Sequence, residues 1–233
     1  MMRSNQYDAA ITIFSPEGRL YQVEYALELV KRGAPIVGIY SPFGVVLAAN
    51  EAVDSPLEDA TFFRKIFQFD NHIGAAIAGL SSDARVLLDQ GRVYCQSNRL
   101  LYDEAPDVEG LVGNLSGRIQ VYTQHGGIRP FGVSMIIAGV DVNGPALLTT
   151  DPSGSYRGYK ARALGRSADE ANQLLDEKYL DGLSLDDAIK LAIEVVNVAS
   201  GGELQAASVK VAVIPTETKT LKRLPEEDIV NYM

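Results

Sequence analysis

Between Ile36 and Ala49 the chain reads IVGIYSPFGVVLAA, two nearly continuous apolar runs joined through Ser41-Pro42-Phe43-Gly44. Pro and Gly in the joint mark a turn, so the two runs are the arms of a β-hairpin. Strands that lack a polar alternation are buried on both faces. This hairpin therefore needs structure packed above it and below it, and the rest of the sequence has to supply those layers.

A second hairpin is expected from Lys65 to Phe69 and from Ile73 to Ala78, across Asp70-Asn71-His72. Gly74, Ala75, Ala76 and Ala78 are small, which lets another element pack close to that strand. Ala84, Leu87, Leu88, Gly91 and Cys95 then repeat at helical spacing, as do Val108, Leu111, Val112, Leu115 and Ile119 after Pro106. Strands resume with Val133 to Val140, a turn at Asp141-Val142-Asn143-Gly144, and Ala146 to Thr150. Asp151-Pro152-Ser153-Gly154 turns into a further strand, Ser155 to Lys160. Ser167-Ala168-Asp169-Glu170 has the form of a capping box for a helix running to about Tyr179. Ser184 caps another helix, with Leu185, Ala188, Ile189, Ala192, Val195, Val196 and Ala199 on its buried face and Gly201-Gly202 at its end. Val209 to Ile214 and Thr220 to Leu224 form a last strand pair, and Pro225 opens a short terminal helix.

Ahead of the first hairpin, Ser15-Pro16-Glu17-Gly18 is a turn with a proline-fixed φ at its second position. It leads into a helix from about Arg19 to Arg32, with Leu20, Val23, Leu27 and Val30 on one stripe and Gly33 as its stop. The order is helix, strands, two helices, strands, two helices, strands, helix. Strand groups separated by helix pairs predict an α+β fold, a four-layer αββα sandwich of two antiparallel sheets with an extra N-terminal helix. Residues 1–33 are expected to form an N-terminal segment and residues 34–233 a single sandwich core, with no linker between them.

Charge and cysteine content narrow the function. The formal net charge is −9 and basic residues occur in runs no longer than two, which argues against a nucleic-acid or anionic-membrane partner. Cys95 is the only cysteine, so no intrachain disulfide forms, and a reducing cytoplasm is the expected compartment. Cys95 also falls on an apolar stripe, where a small buried hydrophobe is the expected role. His72 and His125 are the only histidines and neither has a ligand-spaced partner, so no metal site and no cofactor is expected. No apolar stretch approaches the ~20 residues of a membrane span, and the N-terminus lacks the apolar run of a signal peptide.

Phe14-Ser15-Pro16-Glu17-Gly18-Arg19-Leu20, followed by Gln22-Val23-Glu24-Tyr25-Ala26, resembles the N-terminal signature of proteasome α subunits, above all the archaeal ones. The resemblance continues in order through Gly79-Leu80-Ser81-Ser82-Asp83-Ala84-Arg85, Tyr122-Thr123-Gln124, Gly126-Gly127, Arg129-Pro130-Phe131-Gly132-Val133 and Asp151-Pro152-Ser153-Gly154. It covers the chain from Tyr7 to about Ile214. The fold it implies is that of the N-terminal nucleophile hydrolases, whose active members begin the first strand with a threonine that uses its own amine as base.

Matched position by position, that threonine falls on Ala34, its acidic partner on Asn50 and its lysine on Lys65, so no catalytic residue is expected in this chain. The other readings left open are a hydrolase with an unrecognised nucleophile and an unrelated binding protein whose first helix packs on its own sheet. The resemblance implies a homo- or hetero-heptameric α ring stacked on proteasome β subunits, with unfolded protein substrates in transit. Tyr7, Asp8, Pro16 and Tyr25 match the residues that hold the family's gate open. Lys65 and Gly79 match a pocket that receives the C-termini of regulatory AAA ATPases, where an ammonium would face a carboxylate. Without the resemblance, Arg64-Lys65 reads as a solvated strand start. Two departures stand out. Ala9 replaces the usual arginine after Tyr7-Asp8, and Asn50-Glu51-Ala52-Val53 replaces an acidic and basic run.

Overall fold

The computed structural model describes residues 12–53, 55, 57–59, 62–202 and 204–233. Helix α1 (Tyr21–Arg32) precedes the hairpin β1 (Ile36–Ser41) and β2 (Gly44–Asn50). The second hairpin, β3 (Ile66–Asp70) and β4 (Ile73–Gly79), is followed by α2 (Ser81–Tyr102) and α3 (Val108–Val121). Then come β5 (Val133–Asp141), β6 (Gly144–Thr150), β7 (Tyr156–Gly158) and β8 (Ala161–Leu164). Helices α4 (Ala168–Lys178) and α5 (Leu185–Ala199) lead to β9 (Val209–Pro215), β10 (Lys222–Arg223) and α6 (Glu226–Val230).

The strands form two antiparallel five-stranded sheets, in the orders β10-β9-β2-β1-β8 and β3-β4-β5-β6-β7. The central hairpin shows why its residues are apolar throughout. Ile36, Val45, Leu47 and Ala49 enter the layer between the sheets, while Val37, Ile39, Val46 and Ala48 turn outward onto α4 and α5. Helices α2 and α3 cover the opposite sheet through Leu87, Leu88, Leu111 and Leu115. Gly38 makes room for the opposite sheet, since a Cβ there would lie 2.6 Å from Ile136 Cγ2. The four expected layers are all present.

Three local expectations change. The strand expected from Ser155 to Lys160 is only Tyr156–Gly158, and a further strand, β8, follows it at Ala161 in the other sheet. Tyr159 N–H still bonds the Leu147 carbonyl of one sheet, and the Lys160 carbonyl already accepts from Tyr40 N–H of the other, so the chain crosses the sandwich between them. The capping box at Ser167 does not form. Ser167 has φ +53 and makes no side-chain cap, whereas an N-cap serine needs an extended backbone. The cause is the tight entry to α4, where Arg166 N–H donates to the Gly33 carbonyl at 2.7 Å. Helix α1 begins at Tyr21 and not at Arg19, and it is seated by Val23, Ala26 and Val30, with Leu27 only half-buried.

Candidate functional site

One end of the sandwich gathers Ala34, Asn50, Lys65 and Gly79. Ala34 sits between α1 and β1, and Asn50 ends β2 with its N–H on the Pro35 carbonyl at 3.0 Å. The Asn50 amide is committed within the chain, donating to Ser200 Oγ at 3.0 Å and accepting from Ala52 N–H at 2.8 Å. Val30 of α1 reaches the layer between the sheets, so the end of the helix just before Ala34 is built into the core.

Lys65, at the threshold of β3, is only 5% exposed. A solvated strand start therefore does not describe Lys65. Burial pushes its ammonium pKa down, opposed by the carboxylate of Glu51. Glu51 is equally buried, and its Oε1 accepts from Lys65 N–H at 2.6 Å and from Ile66 N–H at 3.1 Å. The Lys65 carbonyl accepts from Ile77 N–H at 3.0 Å. Arg223, arriving on β10, donates from Nη2 to the Ile66 carbonyl. Glu51 and Arg223 were not picked out from the sequence as site residues. The available signal was a carboxylate two residues past an apolar run, where water does not solvate it and a partner is needed.

Gly79 lies two residues past Ile77 on β4, roughly 7 Å along the strand from the partner of Lys65. Its φ is +111, and a Cβ would fall 2.2 Å from the Gly132 carbonyl oxygen. Its amide nitrogen also sits where a Cβ on Gly33 would be, at 2.7 Å. Glycine at both positions lets the end of α1 settle on the end of β4, a reason internal to the chain. Pro16 is exposed in a turn closed by Gly18 N–H on the Ser15 carbonyl at 2.8 Å. Arg19 then grips Glu24, with Nε on Oε1 at 2.7 Å and Nη2 on Oε2, and fastens the turn to the helix. Tyr25 is 50% exposed on that helix. Tyr7 and Asp8, the other expected gate residues, and Ala9 lie outside the described residues.

Two of the quoted motifs meet in space. Asp83, in the first turn of α2, takes Arg129 Nη1 at 2.5 Å and Nη2 at 2.7 Å on its two oxygens, and Gly132 N–H at 2.8 Å. Burial pushes the Asp83 carboxyl up, but Arg129 and the Gly132 N–H outweigh it and hold the pKa below the usual carboxylate range. Gly154, in the Asp151 turn, has φ +84 and lies where a Cβ would be 2.6 Å from Gln120 Cβ at the end of α3. Among the described residues no cluster of His, Cys, Asp or Glu could hold a metal, and no helix is long and apolar enough to cross a membrane.

Two antiparallel sheets face to face, helices outside, and an added helix closing the end beside residue 34 define an N-terminal nucleophile hydrolase-like fold. Residues 30–214 match the family model for proteasome subunits, and residues 7–28 match the model for the N-terminal signature of A-type proteasome subunits. The proteasome α subunit of Methanothermobacter thermautotrophicus is 44% identical over 100% of this chain and 94% of its own length. Those of Methanosarcina mazei and Haloquadratum walsbyi are 44% and 45% identical, each over 97% of this chain and 91% of the relative. The chain belongs to the proteasome α-subunit family.

Proposed function

We propose that this chain is a non-catalytic component of the outer ring of a proteasome core particle. It forms a heptamer with copies of itself or of a close paralogue, stacked on a ring of proteolytic β subunits. Residues 1–33 then gate the entry of unfolded substrates, and residues 34–233 form the wall. C-termini of a regulatory AAA ATPase dock beside Lys65 and Gly79, which couples the particle to ATP-dependent protein degradation.

The observation that carries this reading is the seating of the residues before Ala34. A hydrolase whose base is its own terminal amine needs that amine free. Here residue 34 carries a methyl group and continues from a helix anchored in the core by Val23, Ala26 and Val30. Exposing an amine at Ala34 would remove the element that closes this end of the sandwich. The same helix carries the α-type signature matched at residues 7–28.

Native mass spectrometry tests the proposal directly. The chain expressed alone is expected to form a seven-fold ring without peptidase activity, and to yield an active particle when expressed together with β subunits. Detection of a monomer, or peptidase activity of the chain alone that a threonine-directed inhibitor blocks, overturns it. Docking has its own check: Lys65→Ala is expected to leave assembly intact and abolish ATPase-stimulated degradation.

A further inference from the structure

Helix α1 starts without a side-chain cap. Its N-cap position is Leu20, extended at φ −106 and ψ 92, whose apolar side chain offers nothing to the free N–H groups of the first turn. The segment before it is closed on itself. Ser15 N–H donates to the Arg19 carbonyl at 2.9 Å, Arg19 N–H to Ser15 Oγ at 3.2 Å, and Gly18 N–H to the Ser15 carbonyl at 2.8 Å. Ser15 is buried, while Pro16 and Glu17 stand exposed at the apex of this loop. Loop and helix are thus two ordered pieces joined through one residue, Leu20.

Arg19 reaches across that joint to Glu24, Nε to Oε1 at 2.7 Å and Nη2 to Oε2, and its guanidinium lies 5.1 Å from the centre of the Tyr21 ring. A separation of five residues is not that of neighbours on a helix, so the pair forms only because the chain bends at Leu20. A bidentate fork also fixes orientation, which a single ammonium contact does not. Lys31 and Glu28 show the contrast: three residues apart within α1, they pair along one helix and span no joint. Tyr25 follows Glu24 directly, so the clasp fixes where the Pro16 loop lies relative to Tyr25.

We propose that Arg19 and Glu24 are positioning residues of the gate: their clasp holds the Pro16 loop where, together with Tyr25, it supports the open state. This rests on the reading of residues 1–33 as a gate and adds to it the pair that sets the angle of the loop. Both side chains are solvated, 53% and 35% exposed, so the clasp biases the gate modestly and comes apart without unfolding the helix. Helix α1 stays seated through Val23, Ala26 and Val30 when the clasp is lost.

The test uses the particle assembled with β subunits and reads entry of an unfolded fluorescent substrate, with and without the cognate regulatory ATPase. Arg19→Ala and Glu24→Ala are each expected to lower the ATPase-stimulated rate about threefold, the weight of one exposed ion pair. Because the two act as one clasp, the double variant should lose no more than either alone. Losses that multiply, or no loss in the single variants, overturn the pairing. Lys178→Ala breaks an ion pair of similar exposure between α4 and α5 and should change nothing; a matching loss there means that surface charge in general, and not the clasp, governs the rate. Should Arg19→Ala fail to assemble, Glu24→Gln keeps the shape of the side chain, removes its charge and carries the same expectation. Deleting residues up to Ile11 separates this inference from the gate itself. If the deletion leaves entry unchanged, the gate reading fails. If it speeds entry, Arg19→Ala added to the deletion should have no further effect, and a loss that persists there shows that Arg19 acts elsewhere and overturns the clasp.

Discussion

Asp83 joins the start of α2 to the loop at Arg129 and Gly132, two stretches that look unrelated in the sequence. Arg129 is largely exposed, so water screens its half of the ion pair and most of the value lies in the buried Gly132 contact. Asp83→Ala is expected to cost about 2 kcal/mol, in the range for hydrogen bonds to a charged group. The sign with pH follows from the depressed carboxyl. Its contribution is complete above the unfolded pKa of about 3.9 and disappears as pH falls through the lower folded value. Urea unfolding of wild type and variant should therefore differ clearly at pH 6 and by progressively less as pH falls below about 3.9; a gap that stays constant on acidification contradicts the assignment. Cys95 makes an opposite case. Burial, with Asp70 adding to it, pushes the thiol up to about 12, so little thiolate exists at neutral pH. A thiol-disulfide reagent should find no reactive group in the folded chain and one after denaturation, and fast native labelling would show that the α2 stripe opens.

At the scale of elements, burial that repeats locally was readable and long-range geometry was not. The faces of α2, α3 and α5 follow the helical period because each packs one side on a flat sheet. Ser184 does cap α5, its Oγ accepting from Asp187 N–H at 3.1 Å, while the similar serine at 167 does not cap α4. The difference lies in the backbone the chain arrives with, fixed by Gly165 packed on Gly33 and Ala34, contacts that no local pattern reveals. The crossing at Tyr159-Lys160 was hidden because residues 155–160 read as one continuous strand and nothing local marks the change of sheet. Of the candidate site, Lys65 and Gly79 were reached through motif resemblance, whereas Glu51 meets the Lys65 N–H, and Arg223 the Ile66 carbonyl, only in the folded chain. The gate proposal belongs to this scale as well. Deleting residues up to Ile11 leaves the Ser15 to Gly18 turn and the Arg19 to Glu24 clasp in place. The truncated ring is expected to assemble normally and to admit an unfolded fluorescent substrate faster, and an unchanged rate would mean that these residues do not obstruct entry.

For the whole molecule the governing quantity is charge. Each copy carries a formal −9, so closing a ring of such copies brings like charge together. Apolar groups left in water supply an opposing drive. On α2 alone Val86, Val93 and Leu100 recur every seventh residue and are all exposed, with Leu101 and Tyr102 beside the last. Burial of such groups is nearly indifferent to moderate salt, whereas repulsion between exposed charges is screened once the Debye length shrinks from about 30 Å at 0.01 M to about 8 Å at 0.15 M. Ring assembly should therefore strengthen over that interval, with the sedimentation boundary moving toward the larger species at fixed protein concentration. If the ring instead falls apart as salt is added, complementary ion pairs between neighbours outweigh the net repulsion, and the contact surfaces must segregate the two signs of charge far more than the scattered lysines and arginines of this sequence suggest.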